Sequence, residues 1–549
     1  MEKVYLVVDG SQAAPNIRHA LLSEGIPRES IVEIEQSDPR LYDIISTDPG
    51  AKAVIVSGSP RSVTDAGASH LDRRVYDLRL KKLLICYAFQ DAAFQLGGAV
   101  SPAKNRENGT EIFEVLAANP LINSTVRVIS NHGDEVEKLW SGATVVARTK
   151  GNENAAAMDA VRNILAVQPH FEISQESVRR EFFHNFRSWI GFEARKEFTA
   201  EVIAEYVDED IRKKFPLEEG RRAMIALSGG VDSTTLAAAL IKAYGRDKVD
   251  LVFVDTGLLR YDFNPKNKKN KFEREPDRLL KLMRDQFGEV INIDARKRFI
   301  DALSKADGFD NPETNKGRRQ IIGNLFADIF ADFARERGDI KYFFQGTNQA
   351  DKQESGRGAG KSDQIKTHHN EVPYLREALN AANVEVGEPL DWLYKNNIVA
   401  LGEYLGLNMD LYKQPPFPGP GMAVRIDGEV SEESLDTVCK ADAVFRFHIE
   451  NAMRKGEIPK PEEGFKTRQY FAALLNADET CAPSEYLIDQ YAARGDHGKS
   501  LELYCLARGI VKEHAPKSAA LPYCAVMNGV KTTGQKGDGR LGGYQVEMR

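Results

Sequence analysis

The sequence predicts an α/β protein with two open, mostly parallel sheets and a smaller α+β unit at the C-terminal end. Three observations predict it. Short apolar runs alternate with helical patterns over the first 165 or so residues. The same alternation restarts after residue 220, beyond a charged helical stretch. A proline- and glycine-rich segment, PPFPGPGMAV (415–424), then closes the second series.

In the first series, residues 3–8 (KVYLVV) read as a buried parallel strand followed by the turn Asp9-Gly10-Ser11. An amphipathic helix then runs through Ile17, Ala20, Leu21 and Leu22. AVIVSG (53–58) and KKLLIC (81–86) are further strands, each ending in a loop or opening a helix. In such sheets function gathers at the carboxyl ends of the strands. The charged run 182–215 reads as a helical bridge between domains. RAMIALSGG (222–230), VDLVFVDTG (249–257) and EVINID (289–294) are the strands of the second series, and 264–277 reads as a charged, solvated loop. Proline at the density of 415–424 forbids both helix and ladder pairing, which places a boundary there. The expected domains are therefore 1–190, 191–415 and 416–549.

Composition narrows the function classes. The 549 residues carry a formal net charge of -7, which argues against broad nucleic-acid binding. The five cysteines include no CxxC pair, so a zinc finger or a dithiol redox centre has no support. Sparse cysteine, no signal-peptide pattern and no apolar run of membrane-spanning length make the cytoplasm the expected compartment, with no membrane partner.

The first candidate site centres on Cys86. It ends an apolar strand and opens a helical pattern, where the helix dipole and free N–H groups favour a thiolate. A cysteine nucleophile needs a base, and the base needs an orienter. His170 and Glu172 in LAVQPHFEIS (165–174) supply both types, two residues apart, so an extended segment would send both side chains to one face. This set resembles class I glutamine amidotransferase domains, which are flavodoxin-like. VVDGSQ (7–12), VSGSP (56–60), CYAFQ (86–90), SNHGDEV (130–136) and VQPHFE (167–172) follow that family's order. The resemblance implies Cys86, His170 and Glu172 as the catalytic set. It also implies Ser59 and Tyr87 at the oxyanion, and Gln90 at the glutamine. Three departures stand out. The family's Gly-x-Cys-x-Gly has Leu84 and Ala88 in place of its glycines, and Ser59 replaces an oxyanion-loop glycine, where φ > 0 would be costly.

The second candidate site is ALSGGVDST (226–234), a glycine-rich turn between a strand and a helix. Its N–H groups and helix dipole suit phosphate, and Asp232 suits Mg²⁺. No Walker A pattern is present. The segment resembles the PP-loop ATP pyrophosphatases, of adenine-nucleotide α-hydrolase-like fold. That resemblance implies ATP contacts at Ser228, Gly229, Gly230, Val231, Asp232 and Ser233. It implies Val254 on an adenine-binding strand that ends in Asp255 and Gly257, and Lys366 of IKTHHN (365–370) at the phosphates. His368 and His369 stay open between function and packing.

An amidotransferase followed by a PP-loop unit, with RRQIIG (318–323), FQGTNQADKQESG (344–356), PPFPGPGMAVR (415–425) and RQYFAALL (468–475), resembles the glutamine-hydrolysing GMP synthetase family. The resemblance implies glutamine, ATP and Mg²⁺, and amination of xanthosine monophosphate through an adenylated intermediate. It implies acceptor contacts at Arg319 on a lid-like loop, at Gly419, Pro420 and Gly421, and at Gln469. A dimerisation domain at the end implies a homodimer. Against the family pattern stand Gln414-Pro415 at an Arg-His position, Gln349-Ala350 at a Tyr-Pro position, extra residues around 314–317, and 477–524, which match nothing in the family. Residues 536–549 match a family segment that is followed there by nucleotide-contacting residues. Two other readings therefore stay open: a paralogue aminating another purine-like or heterocyclic acceptor, and a non-catalytic protein on a decayed synthetase scaffold.

Overall fold

The computed structural model describes residues 1–11, 13–194, 197–305, 312–355, 373–412, 419–426, 429–456, 531–536 and 539–544. The architecture is α/β, with a nine-stranded mixed sheet and a separate five-stranded parallel sheet.

The first sheet has a parallel half and an antiparallel half. Lys3–Val8 lies between Ile31–Glu35 and Ala51–Val56, and the parallel order continues through Lys81–Ile85 to Ile164–Val167. Ala156–Asp159, Thr144–Arg148 and the long hairpin Ala99–Val115/Val126–Lys138 extend it antiparallel. Successive side chains of a strand leave opposite faces, and the parallel strands are apolar at both. Val4, Leu6, Ile55, Leu83 and Ile85 enter one core, and Tyr5, Val7, Val56 and Leu84 enter the other. Helices Ala14–Ser23 and Glu176–Ile190 cover the first face, and helix Tyr87–Leu96 covers the second.

The charged bridge is two helices, Glu176–Ile190 and Ala200–Lys214. Gly191 separates them, in a left-handed C-cap at φ 68°. Their apolar stripes go to different sheets: Phe182, Phe183 and Phe186 to the first, Ile203, Val207 and Ile211 to the second.

The second sheet runs Ile291–Asp294, Val249–Asp255, Arg222–Ala226, Ile340–Phe344, Glu385–Gly387. It repeats the two-faced pattern, with Ile225, Leu251 and Phe253 on one side and Met224, Val252 and Val254 on the other. Residues 264–277 differ from the solvated loop expected. The segment holds strand Phe272–Arg274, paired antiparallel with Tyr261–Phe263, and the start of helix Glu275–Phe287. The Phe263–Phe272 pair, at 5.2 Å between ring centroids, joins the two strands.

The end of the proline-rich segment departs from the expectation of no helix: its last four residues, past the final proline, enter a 3-10 turn, Gly421–Arg425, and with helix Glu432–Arg454 this packs Met422, Ala423, Leu435 and Val438 onto the second sheet's core. An antiparallel hairpin, Lys531–Lys536 with Gly539–Tyr544, lies farther along. No helix among the described residues is long and apolar enough to cross a membrane.

Leu84 is 0% exposed in the core beneath helix Tyr87–Leu96. Leu84→Gly, which restores the amidotransferase pattern, should therefore destabilise the fold by about 3–6 kcal/mol through lost burial and added chain entropy. Denaturant unfolding followed by tryptophan fluorescence measures this.

Candidate active sites

The first site sits at the carboxyl edge of the parallel strands. Lys81–Ile85 delivers Cys86 to the N-cap of helix Tyr87–Leu96, with φ 55° and ψ -108°. A non-glycine residue with positive φ is strained, and such strain at a strand-to-helix turn lifts a nucleophile clear of the sheet. The turn forms without the two glycines. Leu84 and Ala88 both point into the apolar core on the helix side of the sheet, where they are part of the packing.

His170 and Glu172 come together, by a different route from the extended strand expected. His170 caps a 3-10 turn, Phe171–Ile173, with φ -97° and ψ 87°. That turn brings Glu172 Oε1 to 2.6 Å from His170 Nδ1. Both are buried. Burial pulls the His170 pKa down, but the Glu172 carboxylate and then Cys86, through charge and a hydrogen bond, outweigh it and raise it well above 6.5. The arrangement favours an imidazolium facing the sulfur, with the carboxylate behind it. Replacing Glu172 by Gln removes the main raising charge. Glu172→Gln should shift the alkaline limb of glutaminase activity to lower pH and slow turnover about a hundredfold. A pH series of glutamate release checks it.

Gly58 stands beside both groups. A Cβ there would lie 3.6 Å from Cys86 Cβ and 3.6 Å from His170 Cε1. Ser59 follows it, and the positive-φ non-glycine residues described are Cys86, Asn163 and Asn383. The serine expected at the oxyanion therefore sits without left-handed strain, and its buried Oγ has no partner among the described residues. Tyr87 is the first residue of the helix, and its hydroxyl donates to the Ser69 carbonyl at 2.6 Å. Gln90, one turn on, donates through Nε2 to the Asp134 carbonyl at 2.9 Å and to Gln168 Oε1 at 3.2 Å. Gln168 in turn donates to Cys86 Sγ at 3.4 Å. Sequence reasoning missed Gln168, although it lies within the VQPHFE motif. His132 of SNHGDEV is held by Glu107 at 3.0 Å and by the Asp134 carbonyl at 2.9 Å.

The second site lies at the carboxyl edge of the five-stranded sheet. Arg222–Ala226 leads into Ser228-Gly229-Gly230, and helix Val231–Tyr244 starts there. Gly229 has φ 78°, which favours glycine, and a Cβ there would press on the Leu279 side chain at 3.0 Å. Ser233 Oγ accepts from the Ser228 amide at 3.2 Å and closes the loop. Asp232 Oδ2 pairs with Lys395 Nζ at 2.6 Å, and Asn348 Nδ2 approaches it at 3.4 Å. Asp232 Oδ1 is buried with no partner among the described residues. One carboxylate with a free oxygen beside a phosphate cradle fits Mg²⁺, which takes one or two carboxylates and completes its shell with phosphate oxygens and water.

Val254 is buried near the end of its strand. Asp255 accepts from Arg274 at 2.7 and 2.8 Å. Gly421 has φ 68°, and a Cβ there would fall 2.4 Å from the Leu258 carbonyl; the Met422 amide donates to that same carbonyl at 2.7 Å. The Gly-Pro-Gly turn thus rests on the loop that follows the strand carrying Val254. Gly419 is exposed and Pro420 is buried. Arg319 lies on helix Pro312–Arg337, not on a loop; the residues around 314–317 extend that helix by its N-terminal turn. Its neighbour Arg318, also unpredicted, donates to the carbonyls of Ala423 and Ile426 at 3.3 and 2.6 Å and so supports the turn. Lys366, His368, His369 and Gln469 lie outside the described residues.

The two halves touch through named contacts. His19 Nε2 meets Asn397 Oδ1 at 2.7 Å, and Arg28 pairs with Asp210 at 2.6 Å.

The family model "Glutamine amidotransferase class-I" matches residues 6–189. The GMP synthase [glutamine-hydrolyzing] of Carboxydothermus hydrogenoformans is 35% identical over 441 residues, 79% of this chain and 79% of that protein. The protein of the same name from Natranaerobius thermophilus is 34% identical over 397 residues, 71% of this chain and 72% of the relative. Among solved structures, a glutamine amidotransferase from Thermotoga maritima aligns at a TM-score of 0.27 and 16% identity, covering 36% of this chain and 88% of that one. With a third of its residues identical to these relatives over most of both lengths, the chain belongs to the glutamine-hydrolysing GMP synthase family.

Proposed function

We propose that the protein is an ATP- and glutamine-dependent ligase that aminates xanthosine monophosphate to GMP. The observation that carries the reading is the joint presence of a buried Cys86–His170–Glu172 set and a phosphate cradle with a free Asp232 oxygen. The domain layout we propose is an amidotransferase over 1–190, a PP-loop unit over 191–415 and a dimerisation-like unit over 416–549.

In this mechanism the Cys86 thiolate attacks the carboxamide carbon of glutamine. The developing oxyanion is met by backbone N–H groups near Ser59 and Tyr87, and Gln90 lines the glutamine pocket. His170 gives its proton to the departing nitrogen, ammonia leaves, and water hydrolyses the thioester. In the second unit, residues 228–233 bind ATP phosphates, with Val254 at the adenine and Lys366 at the phosphates. Asp232 would hold Mg²⁺, which neutralises phosphate charge when bound. The C2 oxygen of the acceptor attacks the α-phosphorus and releases pyrophosphate. Ammonia then displaces AMP. Arg319, the turn at Gly419, Pro420 and Gly421, and Gln469 are the proposed acceptor contacts. Separation of the sites calls for a route shielded from water, since protonation would remove the nucleophile.

The test is pyrophosphate release from Mg-ATP with xanthosine monophosphate and ammonium. Release that depends on this acceptor supports the reading. Release with another purine monophosphate and none with xanthosine monophosphate favours a paralogue with a different acceptor.

A further inference from the structure

The amide of Gln168 is aimed at the nucleophile's sulfur, and its orientation is set by its neighbours. Gln90 Nε2 donates to the Asp134 carbonyl at 2.9 Å, and a carbonyl can only accept, so the Gln90 amide can face only one way. The same Nε2 donates to Gln168 Oε1 at 3.2 Å, so Gln168 turns its NH₂ group to Cys86 Sγ, at 3.4 Å. The Gln168 backbone is pinned as well, its N–H donating to the Ala155 carbonyl at 2.8 Å. Gln168 is 0% exposed and Gln90 is 3% exposed, so water does not compete for these bonds.

A buried amide among apolar strand residues has a desolvation cost that a leucine would avoid. What the amide offers here is an N–H donor on a sulfur whose charge changes during the reaction. His170 is the sulfur's proton partner. Gln168 is a second, neutral donor that cannot take the proton away.

We propose that Gln168 is a positioning residue of the glutaminase: through one N–H···S bond, braced by Gln90, it holds the Cys86 sulfur in place and stabilises its anionic form. The proposal rests on Cys86 being the nucleophile. It extends that reading to a residue that acts on the sulfur and does not touch glutamine.

The experiment compares wild type, Gln168→Leu and Gln168→Glu in the full-length chain. Gln168→Glu keeps the shape and replaces the donor by an acceptor. Glutaminase kcat and KM are measured separately. Alkylation of Cys86 by iodoacetamide at pH 7 is followed by mass spectrometry, which reads sulfur reactivity without turnover. Ammonium-dependent AMP formation reports that the chain is folded. Loss of one donor to a developing charge is expected to lower kcat about a hundredfold, with KM changing less than about threefold and alkylation slowing about tenfold. Gln168→Glu should be slower than Gln168→Leu in both assays, because its carboxylate repels the thiolate. If Gln168→Leu fails to fold, Gln168→Glu alone decides. Glutaminase kcat and alkylation within twofold of wild type in a folded variant would overturn the proposal. A rise in KM with kcat and alkylation unchanged would also overturn it, since that marks a glutamine contact. Glutaminase activity that survives in Cys86→Ala would remove the nucleophile reading itself, and the proposal with it.

Discussion

Cys86→Ala should lower glutamine-dependent AMP formation by about a thousandfold or more and leave the ammonium-dependent reaction within about twofold of wild type. The size follows from the role. No other cysteine described stands near His170 and Glu172, since Cys439 packs on the second sheet's core. The selectivity follows from the architecture. Cys86 stands on the first sheet and the phosphate cradle on the second, with separate cores. The substitution deletes one sulfur from a turn whose flanking residues stay packed. Loss of both reactions would mean that the Cys86 turn is needed for the fold or for domain contact. Steady-state assays with the two nitrogen sources in parallel make the comparison.

Asp232→Asn should give the converse pattern. AMP formation is expected to fall by about a hundredfold to a thousandfold with either nitrogen source, because a lost Mg²⁺ ligand leaves transferring phosphate charge uncompensated. The substitution keeps the shape of the helix's first turn. It removes the carboxylate that pairs with Lys395 and leaves one oxygen unpartnered. Basal glutamine hydrolysis should stay within about threefold, since the Cys86–His170–Glu172 set is on the other sheet. Binding of Mg-ATP, measured by calorimetry, should weaken in step with turnover at low Mg²⁺ and recover partly at high Mg²⁺.

Much of this could be read along the chain, and what could not has definite causes. The strands were legible because runs such as KVYLVV and VDLVFVD are apolar at every position, the mark of a parallel strand buried on both faces. The strand, glycine turn and helix across 222–244 were legible because their residues are contiguous and local geometry decides them. The partners of Asp232 were not. Lys395 and Asn348 lie 163 and 116 residues away, and nothing in the FQGTNQADKQESG motif or around Lys395 points to that carboxylate. The meeting of His170 and Glu172 was foreseen from their spacing, but the backbone that achieves it is a 3-10 turn, which two-residue spacing does not distinguish from a strand. Gln168 stood within VQPHFE, but its use depends on the tertiary placement of Gln90 and the Asp134 carbonyl, which the motif does not show. The basic hairpin after Tyr261 read as a loop because lysine and asparagine dominate its turn, while each paired strand is only three residues long. The substitutions at 84 and 88 suggested an altered mounting for Cys86. The core beneath the helix accepts both side chains, and Cys86 keeps its positive φ.

The most direct measurement is isotopic. The protein is supplied with Mg-ATP, xanthosine monophosphate and glutamine labelled with nitrogen-15 in the side-chain amide, against unlabelled ammonium in the buffer. Nitrogen-15 retained in the exocyclic amino group of newly formed GMP, above the fraction expected from mixing with the buffer, is the result expected of two coupled sites in one chain. GMP that carries the isotope ratio of the buffer, or no GMP while glutamine is hydrolysed, would contradict it.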